Sequence, residues 1–281
     1  MHGRTHNLKS ARLAKRRRIA LLWRTFFVIF CVLGAWGSVF LLSGHEWVTI
    51  RDVEVEGAKT IVPTEITDLA EEFLIGRYLY TASRANILLY PKGAIENKIL
   101  ELFPQVERVS ISFKNLHAIT IRLTERTPEA LWCQAESSTV TKSVTEHCFV
   151  LDADGFIFAP DSILGSSTTK YLKFYSAKSK GDPIRQEYAS VEYFYALLDF
   201  AKDLADSDFP VSFFRERTDT DFEAKLLVGP RLIFGRDADF VSVLSNFRAI
   251  ISDPNLGGAG DLSTVDYVDL RYGSKVFYKA Y

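Results

Sequence analysis

The sequence is short of the residues from which most catalytic and metal sites are built. Its 281 residues include three cysteines, five histidines and one methionine. Of the histidines (His2, His6, His45, His117 and His147), only His147 has other soft ligands nearby, Cys133 and Cys148. These three lack the fourth ligand of a structural zinc site, so plain thiols or a disulfide between Cys133 and Cys148 suit them better. Asp152, Asp154 and Gly155 begin like a calcium loop, but the later ligands and closing glutamate are missing, and Asp-x-Asp-Gly suits a turn. No G-x-S-x-G or H-E-x-x-H sequence occurs, and Gly257–Gly260 lacks the Lys-Ser/Thr of a phosphate loop. Ser43 has no Lys or His context to make it a nucleophile. No catalytic residue, metal or cofactor is expected, and a binding or scaffolding role is favoured over an enzyme.

Negative charge is also missing where it matters. Residues 1–45 hold eight Lys/Arg and no Asp or Glu. Removing those eight from the chain's 34 basic residues leaves 26 against 35 acidic ones, a net of −9 for the rest. An acidic body argues against nucleic acid as a partner. The basic tail reads as a topology signal, because after Arg24 no charge appears until Glu46. Thr25–Leu42 is an uncharged stretch which, as a helix, measures roughly 27 Å, about one hydrocarbon core. Trp23 and Trp47 fall where aromatic belts sit, and the basic flank should stay cytoplasmic. Ala35-Trp36-Gly37 offers a small-x-small cleavage triplet, but the apolar run continues through Phe40, Leu41 and Leu42. A retained signal anchor therefore fits better than a cleaved signal peptide. The expected layout is a cytoplasmic tail over 1–23, an anchor over 24–43, and everything beyond outside the cytoplasm. There Cys133 and Cys148 are free to oxidise.

Beyond the anchor, Val53, Val55 and Gly57 mark a strand. Pro63 opens a helix whose face is Ile66, Leu69, Ala70, Phe73 and Leu74, with Gly76 ending it. Residues 77–90 read as irregular. A second helix carries Ile95, Ile99, Leu102 and Phe103 and stops at Pro104. Alternation at Val109, Ile111, Phe113 and again at Ile119, Ile121, Leu123 predicts a hairpin. The order β-α-α-β-β makes a two-layer module. From Glu125 onward short strands dominate, at 130–133, 149–151, 211–214, 222–228, 231–234, 264–270 and 275–278. Helices are expected near 188–205 and 240–251. The stretches 134–147 and 162–182 read as polar, exposed connections.

Three stretches carry a family resemblance. Ile50-Arg-Asp-Val53-Glu-Val55-Glu-Gly57 is the first. Phe103-Pro104-Gln-Val106, leading to Glu125-Arg126-Thr-Pro128-Glu-Ala130-Leu-Trp132, is the second. Tyr267-Val-Asp269-Leu270-Arg271-Tyr272-Gly-Ser-Lys275-Val276 closes the chain. In this order, behind a basic tail and one span, they resemble the FtsQ/DivIB cell-division proteins. That resemblance implies an α+β chain: a transmembrane helix, a POTRA module over 47–125, then a mixed, mainly antiparallel β domain with flanking helices over 126–281. It implies a non-enzymatic divisome scaffold in the cytoplasmic membrane, concentrated at the septum, that binds FtsB/FtsL (DivIC)-type bitopic proteins and helps control septal peptidoglycan synthesis. The resemblance implies strand addition at the C-terminal edge, through Val268, Asp269, Leu270, Arg271, Tyr272, Lys275, Val276, Phe277 and Tyr278. Arg271 would face a partner carboxylate and Tyr272 would act as an anchor. The bland counterpart is that Leu270 and Val276 are core and Arg271 a structural ion pair. Other divisome membrane proteins and the bilayer are further partners; nucleic acid and small-molecule substrates are not. Two other classes remain, a POTRA-bearing translocation or assembly factor and a membrane-anchored cell-wall hydrolase. Tandem repeats or a barrel would mark the first, paired carboxylates or a metal cluster the second.

Overall fold

The computed structural model describes residues 11–43, 46–78, 82–134, 146–176, 181–252, 262 and 264–281. The tail over 1–10, most of the polar segment 134–147 and the Gly257–Gly260 loop lie outside the described residues. The chain divides into two compact units, Met1–Glu125 and Arg126–Tyr281.

The first unit opens with α1 (Ala11–Ser43), 33 residues long. At 1.5 Å per residue that is about 50 Å, longer than a hydrocarbon core, so the helix extends past its apolar part. The part apolar enough to cross a membrane is Ile19–Ser38. The helix therefore starts inside the segment read as a tail. Arginine and lysine at 12–18 are good helix formers, and nothing there breaks the periodicity.

Next come β1 (Asp52–Glu56), α2 (Pro63–Leu74), α3 (Lys92–Leu102), β4 (Val106–Asn115) and β5 (Ala118–Glu125). Between α2 and α3, where irregular chain was expected, lies the two-stranded ribbon β2 (Arg77–Tyr78) and β3 (Ala82–Ser83). The three-stranded sheet has the order β1-β5-β4, with β1 parallel to β5 and β4 antiparallel to it. Ile66, Ala70, Ile95 and Ile99 from the helices and Ile111, Ile119 and Ile121 from the sheet close the core. The hairpin turn is only Leu116-His117, because Lys114 and Asn115 stay in the strand despite being polar. Gly57 is required at its place. Its φ is +86°, and a Cβ there would sit 2.2 Å from the Leu123 carbonyl oxygen.

Glu125, at the end of β5, holds the segment after β1. Its carboxylate accepts from the Lys59 amide (2.6 Å), the Thr60 amide (3.0 Å), the Ile61 amide (3.3 Å) and the Thr60 hydroxyl (2.7 Å). Burial alone would raise its pKa, but these donors outweigh burial and hold it below the ordinary 4.5. A depressed folded pKa contributes stability that is present above the unfolded value and lost as pH falls through the folded one. Glu125→Gln is therefore expected to destabilise this unit by roughly 1–2 kcal/mol at neutral pH, discounted for exposure. The gap between variant and wild type closes in acid. Urea midpoints measured across pH check this, and a pH-independent gap would refute it.

The second unit is built on a sheet of nine strands among the described residues. Its strands are β6 (Ala130–Gln134), β7 (Cys148–Leu151), β8 (Ile157–Pro160), β9 (Leu172–Ser176), β10 (Val211–Glu216), β11 (Asp221–Leu226), β12 (Arg231–Gly235), β13 (Val265–Tyr272) and β14 (Lys275–Ala280). The order across the sheet is β14-β13-β12-β11-β10-β9-β6-β7-β8. The β12–β13, β10–β9 and β6–β9 pairs are parallel and the remaining five antiparallel. Helices α4 (Val191–Ala205) and α5 (Phe240–Ile251) start on Ser190 and Asp239, whose side chains accept from first-turn amides. Phe194, Leu197, Phe200 and Leu204 of α4 and Val243 and Phe247 of α5 form the main core with Phe174, Phe214, Phe222, Phe234 and Val268 of the sheet. A smaller apolar cluster comprises Leu131, Val150, Phe158 and the joined pair Cys133–Cys148.

One expectation is corrected. Residues 162–182 are not a plain connection: Asp161–Lys170 is a kinked 3-10 helix, and Leu172–Ser176 is the strand β9, inside the sheet. Tyr171-Leu-Lys-Phe-Tyr175 carries its signal, but lysines and serines crowd both sides and the buried position after Phe174 is the polar Ser176, so no apolar alternation is sustained.

Candidate functional site

The two ends of the large sheet differ. At one end β8 closes with Pro160, which has no amide proton to offer. Its neighbour, the 185–187 segment, bonds to it: the Ile157 amide donates to Gln186 O (2.9 Å) and the Arg185 amide to Ile157 O (2.8 Å). At the other end β14 pairs with β13 alone and is the terminal strand of the sheet among the described residues. Such an edge presents a row of backbone donors and acceptors.

The turn before β14 is Gly273-Ser274, between the paired residues Tyr272 and Lys275. Gly273 has φ +62°, which a two-residue hairpin turn needs at its first central position. Its carbonyl accepts from Asn246 Nδ2 of α5 (2.7 Å), which fixes the hairpin to the core.

The nine residues read from the sequence fall into three groups here. Val268 and Leu270 are buried in the main core, and Val276 packs against it. Asp269 and Arg271 form an internal network. Arg271 Nε and Nη2 donate to the two Asp269 carboxylate oxygens (2.9 and 2.6 Å), and Nη1 donates to Asp221 Oδ2 (2.7 Å). The Asp269 carboxyl is held below its ordinary range, first by the Arg271 side chain, against the opposing effect of burial. The Arg271 pKa is raised by the same bond. Asp221 lies 50 residues away in sequence, and no local signal points to it. The third group faces outward: Tyr272, Phe277 and Tyr278 are 50–55% exposed, and Lys275 is exposed as well. Tyr272 and Phe277 meet edge to face (5.4 Å), with the Arg271 guanidinium over Tyr272 (5.5 Å). The Tyr272–Phe277 pair thus comes from both strands of the final hairpin, with Arg271 over Tyr272, while Tyr278 projects from the opposite face of β14.

The other chemical candidates resolve on geometry. Cys133 and Cys148 are directly opposite in the β6–β7 pair and are joined, S–S 2.04 Å, so their sulfurs are not thiolate ligands. Asp152 Oδ1 accepts from the Asp154 and Phe156 amides (2.9 Å each), and Asp152 Oδ2 accepts from Arg126 Nη1. That carboxylate is spent on a turn.

No model of a known protein family matches the chain. Two curated proteins do. One, from Streptomyces coelicolor and named cell division protein FtsQ, is 27% identical over 97 residues, 34% of this chain and 33% of that protein. Another of the same name, from Streptomyces collinus, is 26% identical over 121 residues, 43% of this chain and 42% of that protein. Over these stretches the chain is similar to proteins named FtsQ. The FtsQ-like match spans less than half the length of either curated relative. The structure itself has an N-terminal apolar helix followed by α+β units ending in a mixed sheet.

Proposed function

We propose that this chain is a non-enzymatic scaffold of the cell-division machinery. In this reading residues 1–23 are its cytoplasmic tail, 24–43 its anchor, 47–125 a POTRA domain and 126–281 the partner-binding β domain. It sits in the cytoplasmic membrane with its N-terminus inside, concentrates at the septum, and helps control septal peptidoglycan synthesis. Its partners are bitopic proteins of the FtsB/FtsL (DivIC) type, which add a strand to β14. The similarity to proteins named FtsQ supports the cell-division role. The observation that carries the site is the terminal strand β14 with its exposed Phe277 and Tyr278, beside Tyr272 at the end of β13. Backbone pairing along an edge gives affinity, and side chains beside it give selectivity. Aromatic residues are the commonest energetic anchors at interfaces. Val268, Leu270 and Val276 hold the edge from the core, and the Asp269–Arg271–Asp221 network keeps its end rigid.

The test is capture of the partners' extracytoplasmic segments by the full chain in detergent. Wild type should bind, and Tyr272→Ala/Phe277→Ala/Tyr278→Ala should bind at least about tenfold more weakly, the loss of one anchor's worth of energy. Equal capture by both would remove the site from β14. Capture by neither would remove the proposed partners.

A further inference from the structure

Connectivity fixes which end of the βααββ module faces the membrane. β1 leaves the exit of the span and runs parallel to β5, with Asp52 opposite Ala118. The β4–β5 turn therefore lies at the end of the sheet where the chain arrives. The His117 carbonyl accepts from the Arg51 and Asp52 amides (2.7 and 3.1 Å). α2 runs back to this same end, and the connection from α2 to α3 is tied there. Ile50 N donates to Ala85 O and Ile87 N to Val48 O (2.8 Å each), and Arg84 N donates to Gly76 O (3.1 Å). Pieces of chain from three places in the sequence, 46–51, 75–78 with 82–90, and 116–117, meet at one end.

Each piece presents a large apolar side chain to solvent. Trp47, Ile75, Leu88 and Leu116 are 60–74% exposed. Single exposed apolar residues are ordinary, but four from three segments on one end make a patch. The far end, around residues 57–62 and 103–105, has less: Val62 and Leu102 are both less exposed than any of these four. Arg77 and Arg84 lie on the same α2–α3 connection and Lys92 opens α3 just after it, so cations border the apolar tips.

We propose that this end of the module docks on the phospholipid leaflet from which α1 emerges, with Leu88 and Leu116 dipping into the headgroup region. The occupant follows from attachment. Trp47 is four residues beyond Ser43, the last residue of α1, so extended chain can carry it no farther than about 14 Å from the helix end. A bilayer's polar interface is roughly 5–8 Å deep on each side. Tryptophan and leucine tips bordered by arginine and lysine have the composition of an interfacial contact with anionic lipid. Docking would hold the sheet of this module at a fixed angle to the bilayer, independently of any strand added at β14.

The test uses the full chain in nanodiscs of mixed phosphatidylcholine and phosphatidylglycerol. In a Cys31→Ser background, single cysteines replace Leu88, Leu116 or, as the far-end comparator, Val62. Each carries an environment-sensitive NBD fluorophore, and an intact Cys133–Cys148 bond verifies folding. Labels at 88 and 116 should emit blue-shifted light that doxyl-labelled lipid quenches, while the label at 62 stays water-like and unquenched. Water-like emission at both 88 and 116 would overturn the proposal. So would blue-shifted emission there that doxyl lipid leaves unchanged, since protein rather than lipid would then cover the patch.

Discussion

Phe174→Ala is expected to unfold the second unit at far lower temperature than wild type. Phe174 is fully buried in β9, and its ring meets those of Tyr188 and Phe194 (5.2 Å each) and Phe214 (5.3 Å). Its register partners are Trp132 on β6 and Phe214 on β10, so it lies where two parallel pairs join the halves of the sheet. Truncating a buried phenylalanine costs about 3–5 kcal/mol, because the cavity cannot collapse among rigid rings. For a unit of this size that is a fall in Tm of about 6–20 °C. Leu227→Ala, at an exposed position, should stay within about 0.5 kcal/mol of wild type. Thermal melts of both variants decide it. Equal melts would mean β9 does not sit in the core.

Reduction of the Cys133–Cys148 bond should have the next largest effect. The bond joins β6 to β7 across a sequence separation of 15. In the chain-entropy account a loop of that length is worth about 3 kcal/mol, mostly by restricting the unfolded chain. The expected fall in Tm with reductant is about 6–12 °C. Cys133→Ala/Cys148→Ala should melt near reduced wild type and be indifferent to reductant. Intact-mass measurement with and without reductant verifies the bond. An unchanged melting point on complete reduction would show that the β6–β7 pair needs no cross-link.

Much of the fold is legible locally. The spacing of Ile66, Ala70 and Leu74 and of Phe240, Leu244 and Phe247 marks helices whose bounds the structure reproduces closely, because a buried stripe must repeat with the helical turn. Alternation marks β1, β4 and β5 because one face of their sheet is covered by helices. β9 escapes because its buried positions are Phe174 and the polar Ser176, so no apolar alternation is sustained, and β2 and β3 because two residues carry none. The Glu125-Arg126 pair is visible as a motif but not as a mechanism. Glu125 secures the 59–61 segment in the first unit, while Arg126 bonds Asp152 and lies over the Phe156 ring (4.2 Å) in the second. Two adjacent residues thus brace two units, through partners that only folding brings near.

The candidate edge divides in the same way. That strands at 264–270 and 275–278 form a final hairpin was legible in the sequence, and the structure extends them to Val265–Tyr272 and Lys275–Ala280. That β14 is the terminal strand among the described residues, while β8 is bonded by the 185–187 segment, depends on strand order, and strand order is set by pairings between residues far apart in sequence. The sequence alone determined the membrane anchor, the acidic body and the α+β order, because length, charge and periodicity are properties of the chain itself. The tertiary structure alone decided that Arg271 bonds inward to Asp269 and Asp221, that Tyr272, Phe277 and Tyr278 face out, and that Leu88 and Leu116 share an end. Which side chains meet, and which are left to the solvent, follows from the packing of distant segments.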